Sequence, residues 1–380
     1  MRKLVHIAAG VGAALGVSAF APLAAAAAQG AAGGSGADHV VFVQTDALAG
    51  NQVVAYDRAN DGTLTWSATY DTGGQGGQLN GSLVDHLASQ GSLTYDAAAG
   101  LLYAVNAGSN TVSVFAVDGD RLVLRQVVDA GGTFPVSVAT SGTLAYVLNA
   151  GGQGSISGFR VVGGRLHPIE GSTRSLGLTI PTDTNQFTHA PGQVAFTPDG
   201  SQLVVTTKAS SNAIDIFAVD RNGRVSAAPV VNSEPGTVPF AVTFDPSGHL
   251  LVAEVGTNAL ASFSLGVDGT ATLLDAVGTS QAATCWVASA QGYFFTSNAG
   301  SPSLSGFEAA PNGQLTDLGN TITDPGTVDA SASSGGQFLY VQTGKNGIVD
   351  EFAVNTNGSL SEVGSVTVPG AAGGEGIVAN

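Results

Sequence analysis

Few side chains in this sequence could do chemistry, and most of them gather in short polar stretches between apolar runs. Hydrolysis at a carbonyl carbon needs a base to activate water and a donor to hold the developing oxyanion. His189 and His86 are the candidate bases, and Lys208 and Arg174 the candidate electrophilic partners. Asp85, Asp183, Gln186, Glu254 and Lys345 accompany them on connecting segments, where function usually sits on a rigid scaffold. Gln193, Cys285, Asp329 and Glu375 stand at the starts of apolar strands and complete the candidate ligand-binding set.

Each of these has a plainer role to set beside the chemical one. Asp85-His86 would cap a short turn within 81–89, and His189 would pack against a neighbouring loop. Glu254 and Lys208 end second strands in adjacent repeats, so a salt bridge on the rim is expected of them. Cys285 lies in an apolar strand and reads as a small buried hydrophobe. The acidic run over 57–62 resembles a calcium loop, but it lacks the terminal bidentate Glu and occupies a hairpin position. No His pair has zinc spacing and no Gly-rich stretch opens a helix, so neither a metal nor a cofactor is expected.

The elements that must position these groups repeat seven times. Each copy is a short apolar strand, a polar tip, a strand ending in an aromatic, a Gly hairpin and a further strand. The aromatics are Tyr56, Phe115, Phe159, Phe217, Phe263, Phe307 and Phe352. A Gly follows six residues on in five copies, at Gly62, Gly223, Gly269, Gly313 and Gly358. Such a unit cannot bury both faces of its sheet alone, so neighbours must stack. A period near 45 in an all-strand sequence predicts an all-β, seven-bladed β-propeller of four-stranded antiparallel blades. In blade four the strands are expected over 193–196, 203–207, 213–219 and 224–231. The first strands, 40–44 and 53–57, lack an inner strand before them, while the chain ends on an orphan inner strand at 375–378. The C-terminus is therefore expected to complete blade one and close the ring.

Two of the repeat intervals, 59 and 58 residues, exceed the other four, which run from 44 to 46. The extra residues fall at 71–91 and 170–192, between one blade's outer strand and the next blade's inner strand. Equivalent connections emerge on the same face, so both insertions should lie over one mouth of the channel.

Arg2 and Lys3, an apolar stretch to Leu23 and small residues at 24–28 read as a signal peptide over 1–28. A flexible leader over 29–38 then precedes the propeller at 39–380. The protein is expected to be exported, secreted or periplasmic, and monomeric. Net charge is −16, and loss of Arg2 and Lys3 makes it −18. Scattered single cations exclude nucleic acid and anionic lipid as partners, because both need clustered positive charge. A small molecule or an envelope protein is the expected partner.

The phrase FTPDGSQLVVTTKASSNAIDIFAVDRNGRV, with LYAVNAGSNTVSVFAVDGDRL and LYVQTGKNGIVDEFAVNTNGSL, resembles the lactonase-type seven-bladed propeller family. That family includes propeller 6-phosphogluconolactonases and carboxymuconate cyclases, and the resemblance covers the whole mature chain. The family's enzymes carry Arg-Gln, then Pro-His-x-His before a middle inner strand, then Asp-Leu-Gly ending the next strand. Registered on Thr197-Pro198-Asp199-Gly200, the paired His fall on Ala190 and Gly192, and Asp-Leu-Gly becomes Lys208-Ala209-Ser210. Taken with the expected signal peptide, the resemblance implies an exported propeller that binds a small ligand or protein on its upper face without the family's paired His. The alternative it leaves open is a lactone-ring hydrolase or lactonising cyclase acting on a non-phosphorylated substrate.

Overall fold

The computed structural model describes residues 39–380; the expected signal peptide and leader, residues 1–38, lie outside them. Seven antiparallel sheets follow one another along the chain, each ordered from an inner to an outer strand. Second strands such as Leu101–Asn106 and Phe338–Thr343 are buried at every position, because neighbouring blades cover both faces of the sheet. The seven repeat aromatics are at most 2% exposed. Burial of each stabilises the stack by about 2–3 kcal/mol. In five blades a β-bulge at that aromatic sharpens the twist between the third and outer strands.

The hairpin glycines have a physical requirement that the sequence pattern alone does not state. Gly62 has φ +92°, and a Cβ there would meet the Phe338 ring of the preceding blade at 2.3 Å. Gly223 repeats the arrangement against Leu144 at 2.3 Å, with φ +76°. Each needs both a left-handed backbone and the absence of a side chain.

Ring closure is as expected in topology and shifted in register. Ile377–Ala379 is the inner strand of blade one, pairing Val41 with Ala379, Phe42 with Val378 and Val43 with Ile377. The strand starts at Ile377 rather than at Glu375, since Gly376 turns the chain with φ +109°. Tyr340 of blade seven donates its hydroxyl to the Gly62 carbonyl at 2.8 Å, just as Tyr146 of blade three does to Gly223. The closing junction therefore reproduces an internal one.

Two outer strands differ from the expected ranges. In blade four the residues after Arg224 make only one bridge, Val225 with Val219, and the strand proper is Val230–Ser233. In blade three the outer strand is split into Arg165–Pro168 and Arg174–Ser175, so the second insertion begins inside the sheet. Among the described residues no helix is long and apolar enough to cross a membrane.

Candidate functional site

Inner strands start on the upper face, and the first insertion crosses the channel mouth there. Val84 packs on Gly344 and Gly326 of blade seven, where a side chain could not be accommodated. The backbone N–H of His86 donates to Gly373 O at 2.8 Å. Ser89 donates to Val136 O of blade three at 2.8 Å, and Gln90 N to Gly192 O at 3.1 Å. The Gln90 amide exchanges two 3.0 Å hydrogen bonds with the backbone of Val287 in blade six, so it substitutes for a strand partner. Trp286 donates its indole N–H to Ser89 O at 2.5 Å. The second insertion joins the first: Gln186 accepts from Asn80 N at 2.8 Å, and Asn80 donates to Thr182 O at 3.0 Å. Both insertions share one face, as the topology requires, and the first is bonded to blades three, four, six and seven around the mouth. Below Gln90 the channel opens on the lower face into a funnel of about 740 Å³, walled by the turns between inner and second strands.

Between the insertions and blades four to six lies a cavity of about 140 Å³. Phe187, Phe240, Trp286, Val84, Val238 and Val255 make its walls apolar. Lys208, Asp85 and Cys285 are its ionisable residues, 1%, 4% and 7% exposed. Cys285 sits at a β-bulge between Thr284 and Trp286, and Phe240 at another between Pro239 and Val242. Such bulges aim side chains off the normal alternation. Four lining residues other than glycine, Ala88, Lys208, Val238 and Ala283, have φ between +45° and +56°. For β-branched Val238 this is a sparsely populated conformation, and strain of this kind collects at functional sites.

Lys208 ends its strand in a 3-10 turn and points across the site. Its Nζ donates to Ala88 O and Phe187 O, both at 2.6 Å, and lies 4.9 Å from the centre of the Phe240 ring. One carbonyl comes from each insertion, so the ammonium clamps them together and keeps one proton uncommitted. Burial lowers the Lys208 pKa to about 8, an effect that the neighbouring Asp85 carboxylate partly offsets. The ammonium form therefore prevails at neutral pH.

Asp85 Oδ1 accepts from Leu87 N at 3.0 Å and Ala88 N at 2.8 Å, which fixes the carboxyl rigidly. Its Oδ2 is buried and receives no fixed donor; a proton on neighbouring Glu375 supplies one. Burial raises both acids, Asp85 to about 6 and Glu375 well above its ordinary range because Asp85, Asp329 and Asp46 crowd it. Glu375 holds the proton of this pair and Asp85 the charge, since two adjacent buried carboxylates cannot both ionise. Glu375 is itself held by Ser89, whose hydroxyl lies 2.9 Å from Oε2, and by Asp46, which accepts its backbone N–H at 2.8 Å. Burial also lifts Asp46 and Asp329 to about 7. Cys285 is pushed up by burial and by Asp85, so it stays a thiol.

Of the residues singled out from sequence, Lys208, Asp85 and Cys285 meet in this cavity, with Glu375 adjoining Asp85 and Asp329 acting on Glu375. The others lie elsewhere. His189 closes its own one-turn helix, Nδ1 being 3.0 Å from Asn185 O and from Thr188 Oγ1. His86 packs against Gly373 at the clasp, its Nδ1 buried without a partner and its pKa lowered by burial. Arg174 donates to four backbone carbonyls, those of Gly171, Thr173, Val225 and Ser226, and so ties the split outer strand to blade four. Gln193 accepts from Val242 N at 2.6 Å, linking two inner strands, and Gln186 joins the insertions. Glu254 accepts from Thr257 at 2.8 Å and makes no ion pair with Lys208, contrary to the expected rim bridge. The Lys208 ammonium is turned onto the Ala88 and Phe187 carbonyls instead. Asp46 was not among the sequence candidates. Asp46 follows a strand end in a run resembling any other turn, and its only signal is a carboxyl beside a buried Gln44. Among the described residues no group of His, Cys, Asp and Glu could hold a metal ion.

No protein-family model and no curated protein matches the chain. Solved structures do. A protein from Lactobacillus plantarum superposes with TM-score 0.72 at 21% identity, over 90% of this chain and 98% of its own. A proposed 6-phosphogluconolactonase from Bacteroides uniformis gives 0.70 at 20%, over 88% and 98%. The periplasmic gluconolactonase of Pseudomonas aeruginosa gives 0.69 at 18%, over 90% and 99%. These proteins share the seven-bladed propeller fold with this chain; at these identities the likeness is one of fold alone.

Proposed function

We propose that this propeller is exported and binds a small, uncharged ring compound with one carbonyl oxygen in the cavity over Lys208. The observation that carries the reading is the cavity itself: apolar walls around a single ammonium with one proton uncommitted. At about 140 Å³ it is close to the roughly 150 Å³ that accommodates benzene in an apolar pocket. A five- or six-membered ring fits. Lys208 is also the one cation among the lining residues, too few to neutralise a phosphate. Ala190 and Gly192 support the same separation from phosphosugar chemistry. Ala190 is fully buried, and any side chain at 192 would meet Phe240 O at 2.5 Å, so paired His would not fit there. A small-molecule role is favoured over a protein partner because the polar groups converge inside the cavity rather than on its rim. The periplasmic gluconolactonase with this fold is consistent with export and with a sugar-free relative of its ligand class.

The test is thermal unfolding of residues 39–380 with γ-butyrolactone, δ-valerolactone, cyclopentanone and 6-phosphogluconate. The neutral rings should raise the midpoint in a saturable manner, the phosphate should not, and Lys208→Met should abolish the gain. Stabilisation by 6-phosphogluconate alone, or by none of the four, would refute the reading.

A further inference from the structure

We propose that Lys208 is a carbonyl-capturing amine, its Nζ condensing with a small cyclic ketone or aldehyde in the cavity to form an iminium. This rests on the binding reading above and adds a covalent bond within the same cavity. Three observations carry it. Lys208 is 1% exposed yet forms no ion pair within 4.0 Å; among the described residues the only one is His249–Asp245. Lysines are almost never fully buried without a paired charge, and desolvation in an apolar pocket is one way a lysine becomes a nucleophile. Second, the insertion carbonyls orient the nitrogen. Ala88 O and Phe187 O each accept one N–H at 2.6 Å, so the neutral amine has both protons committed and its lone pair takes the remaining tetrahedral position. Third, the cavity is open to a ring from outside: Leu83, which lines it, is 85% exposed on the upper face. Cys285, the other nucleophilic residue of the lining, is held as a thiol by burial, so the amine is the group that adds.

The step balances without an oxidant or a reductant. The neutral amine, having lost its uncommitted proton to solvent, bonds to the carbonyl carbon, and the C=O electron pair moves onto oxygen. That oxygen takes one proton from the nitrogen and one from solvent and leaves as water, while the remaining nitrogen pair closes C=N. Relative to the ammonium, two N–H bonds and one C=O bond give way to one C=N bond and one water, and the single positive charge is kept. The Asp85 carboxylate, fixed by Leu87 N and Ala88 N, is therefore counter-ion to both forms. The iminium retains one N–H, enough for one of the two carbonyls, so capture releases one insertion from the clamp. Three ionisable groups act on the amine: Asp85 from the first insertion, the Cys285 thiol of blade six and protonated Glu375 of the C-terminal segment. With the Lys208 pKa at about 8, roughly a tenth of the amine is neutral at pH 7.

The experiment is reductive trapping of residues 39–380 with cyclopentanone and cyanoborohydride between pH 6 and 9, read by intact mass and peptide mapping. The expected product is an adduct on Lys208 whose mass gain equals the ketone less one oxygen atom. Exposed Lys345, the only other lysine in residues 39–380, is the internal control. Lys208 should be labelled at least about tenfold faster than Lys345 at pH 7, since each unit of pKa depression raises the neutral fraction about tenfold. Its rate should rise between pH 6 and about 8. Asp85→Asn removes the charge that holds the Lys208 pKa up, so the rise should move to lower pH; a merely structural residue would leave it unmoved. Equal labelling of the two lysines, or none at Lys208 although cyclopentanone raises the unfolding midpoint, would overturn the capture and leave the binding reading standing. With neither label nor thermal shift, both readings fall. The wild-type map decides the matter even where Asp85→Asn fails to fold.

Discussion

Lys208 shows how one side chain can be both scaffold and candidate chemistry. Its ammonium clamps the two insertions, and its charge is tolerated in an apolar cavity because two carbonyls, an aromatic face and Asp85 surround it. The acids around it set the pH dependence of stability. Asp46, Asp85, Asp329 and Glu375 bind protons more tightly folded than unfolded, so stability should fall as pH rises from about 4 to 7. Lys208 binds its proton less tightly when folded, so stability should recover between about 8 and 10. Denaturant titrations should thus find a minimum near pH 7–8, lower than at pH 5 by on the order of 2–4 kcal/mol. A flat profile would mean that these acids are solvated. A second prediction concerns Gly192, whose Cβ would press on Phe240 O: Gly192→Ala should cost about 1–3 kcal/mol by the same titration. Lys208 was legible in the sequence because it follows a strand end on that face, and Asp85 because it lies in an insertion over it. The two His were over-weighted, since intrinsic basicity says nothing about His189 bonding back to Asn185 four residues away.

At the scale of elements, the insertions were visible as a surplus over the repeat period, and their shared face followed from strand direction. Their paths were not visible. The first insertion is held by partners far away in sequence, including Val136, Val287, Gly344 and Gly373, and no local pattern encodes such contacts. The inner-strand bulges that present Cys285, Phe240 and Asp329 were equally silent, because a bulge adds a residue without altering apolar composition. The split outer strand of blade three escaped for the same reason: Arg174 continues the sheet after a loop, on the strength of carbonyls it finds in blade four. Trp286 is the pin between plug and wall, and its indole donates to a carbonyl with no solvent access. Trp286→Phe keeps the ring but strands Ser89 O, so unfolding should cost about 1–3 kcal/mol less. Hydrogen exchange should show faster opening of residues 84–90 in that variant than of any blade strand. Uniform exchange across plug and blades would count against the plug as a separate element.

For the whole molecule, the repeats foretold the architecture because every blade solves the same burial problem with the same residues. What closes the ring is three paired residues, Ile377–Ala379, plus backbone bonds at either end: Gln44 N to Gly376 O at 2.8 Å and Asn380 N to Val40 O at 2.9 Å. The same segment carries Glu375, which anchors Ser89 of the plug and shares a proton with Asp85. Clasp, plug and cavity are thus joined through one short stretch of chain. Removing residues 374–380 bares the inner edge of blade one and the apolar face formed by Val41, Val43 and Tyr56. It also frees Ser89, leaving residues 84–90 tied only to blades three, four, six and seven. The truncated protein should lose cooperative unfolding, expose dye-binding apolar surface and associate through its open edge, as seen by calorimetry, dye fluorescence and light scattering. The point change Ile377→Asp should act in the same direction more weakly, because it leaves the backbone pairing possible while burying a charge against Val43. A truncation that stays monomeric and melts as one unit at an unchanged temperature would show that blade packing alone holds the ring shut.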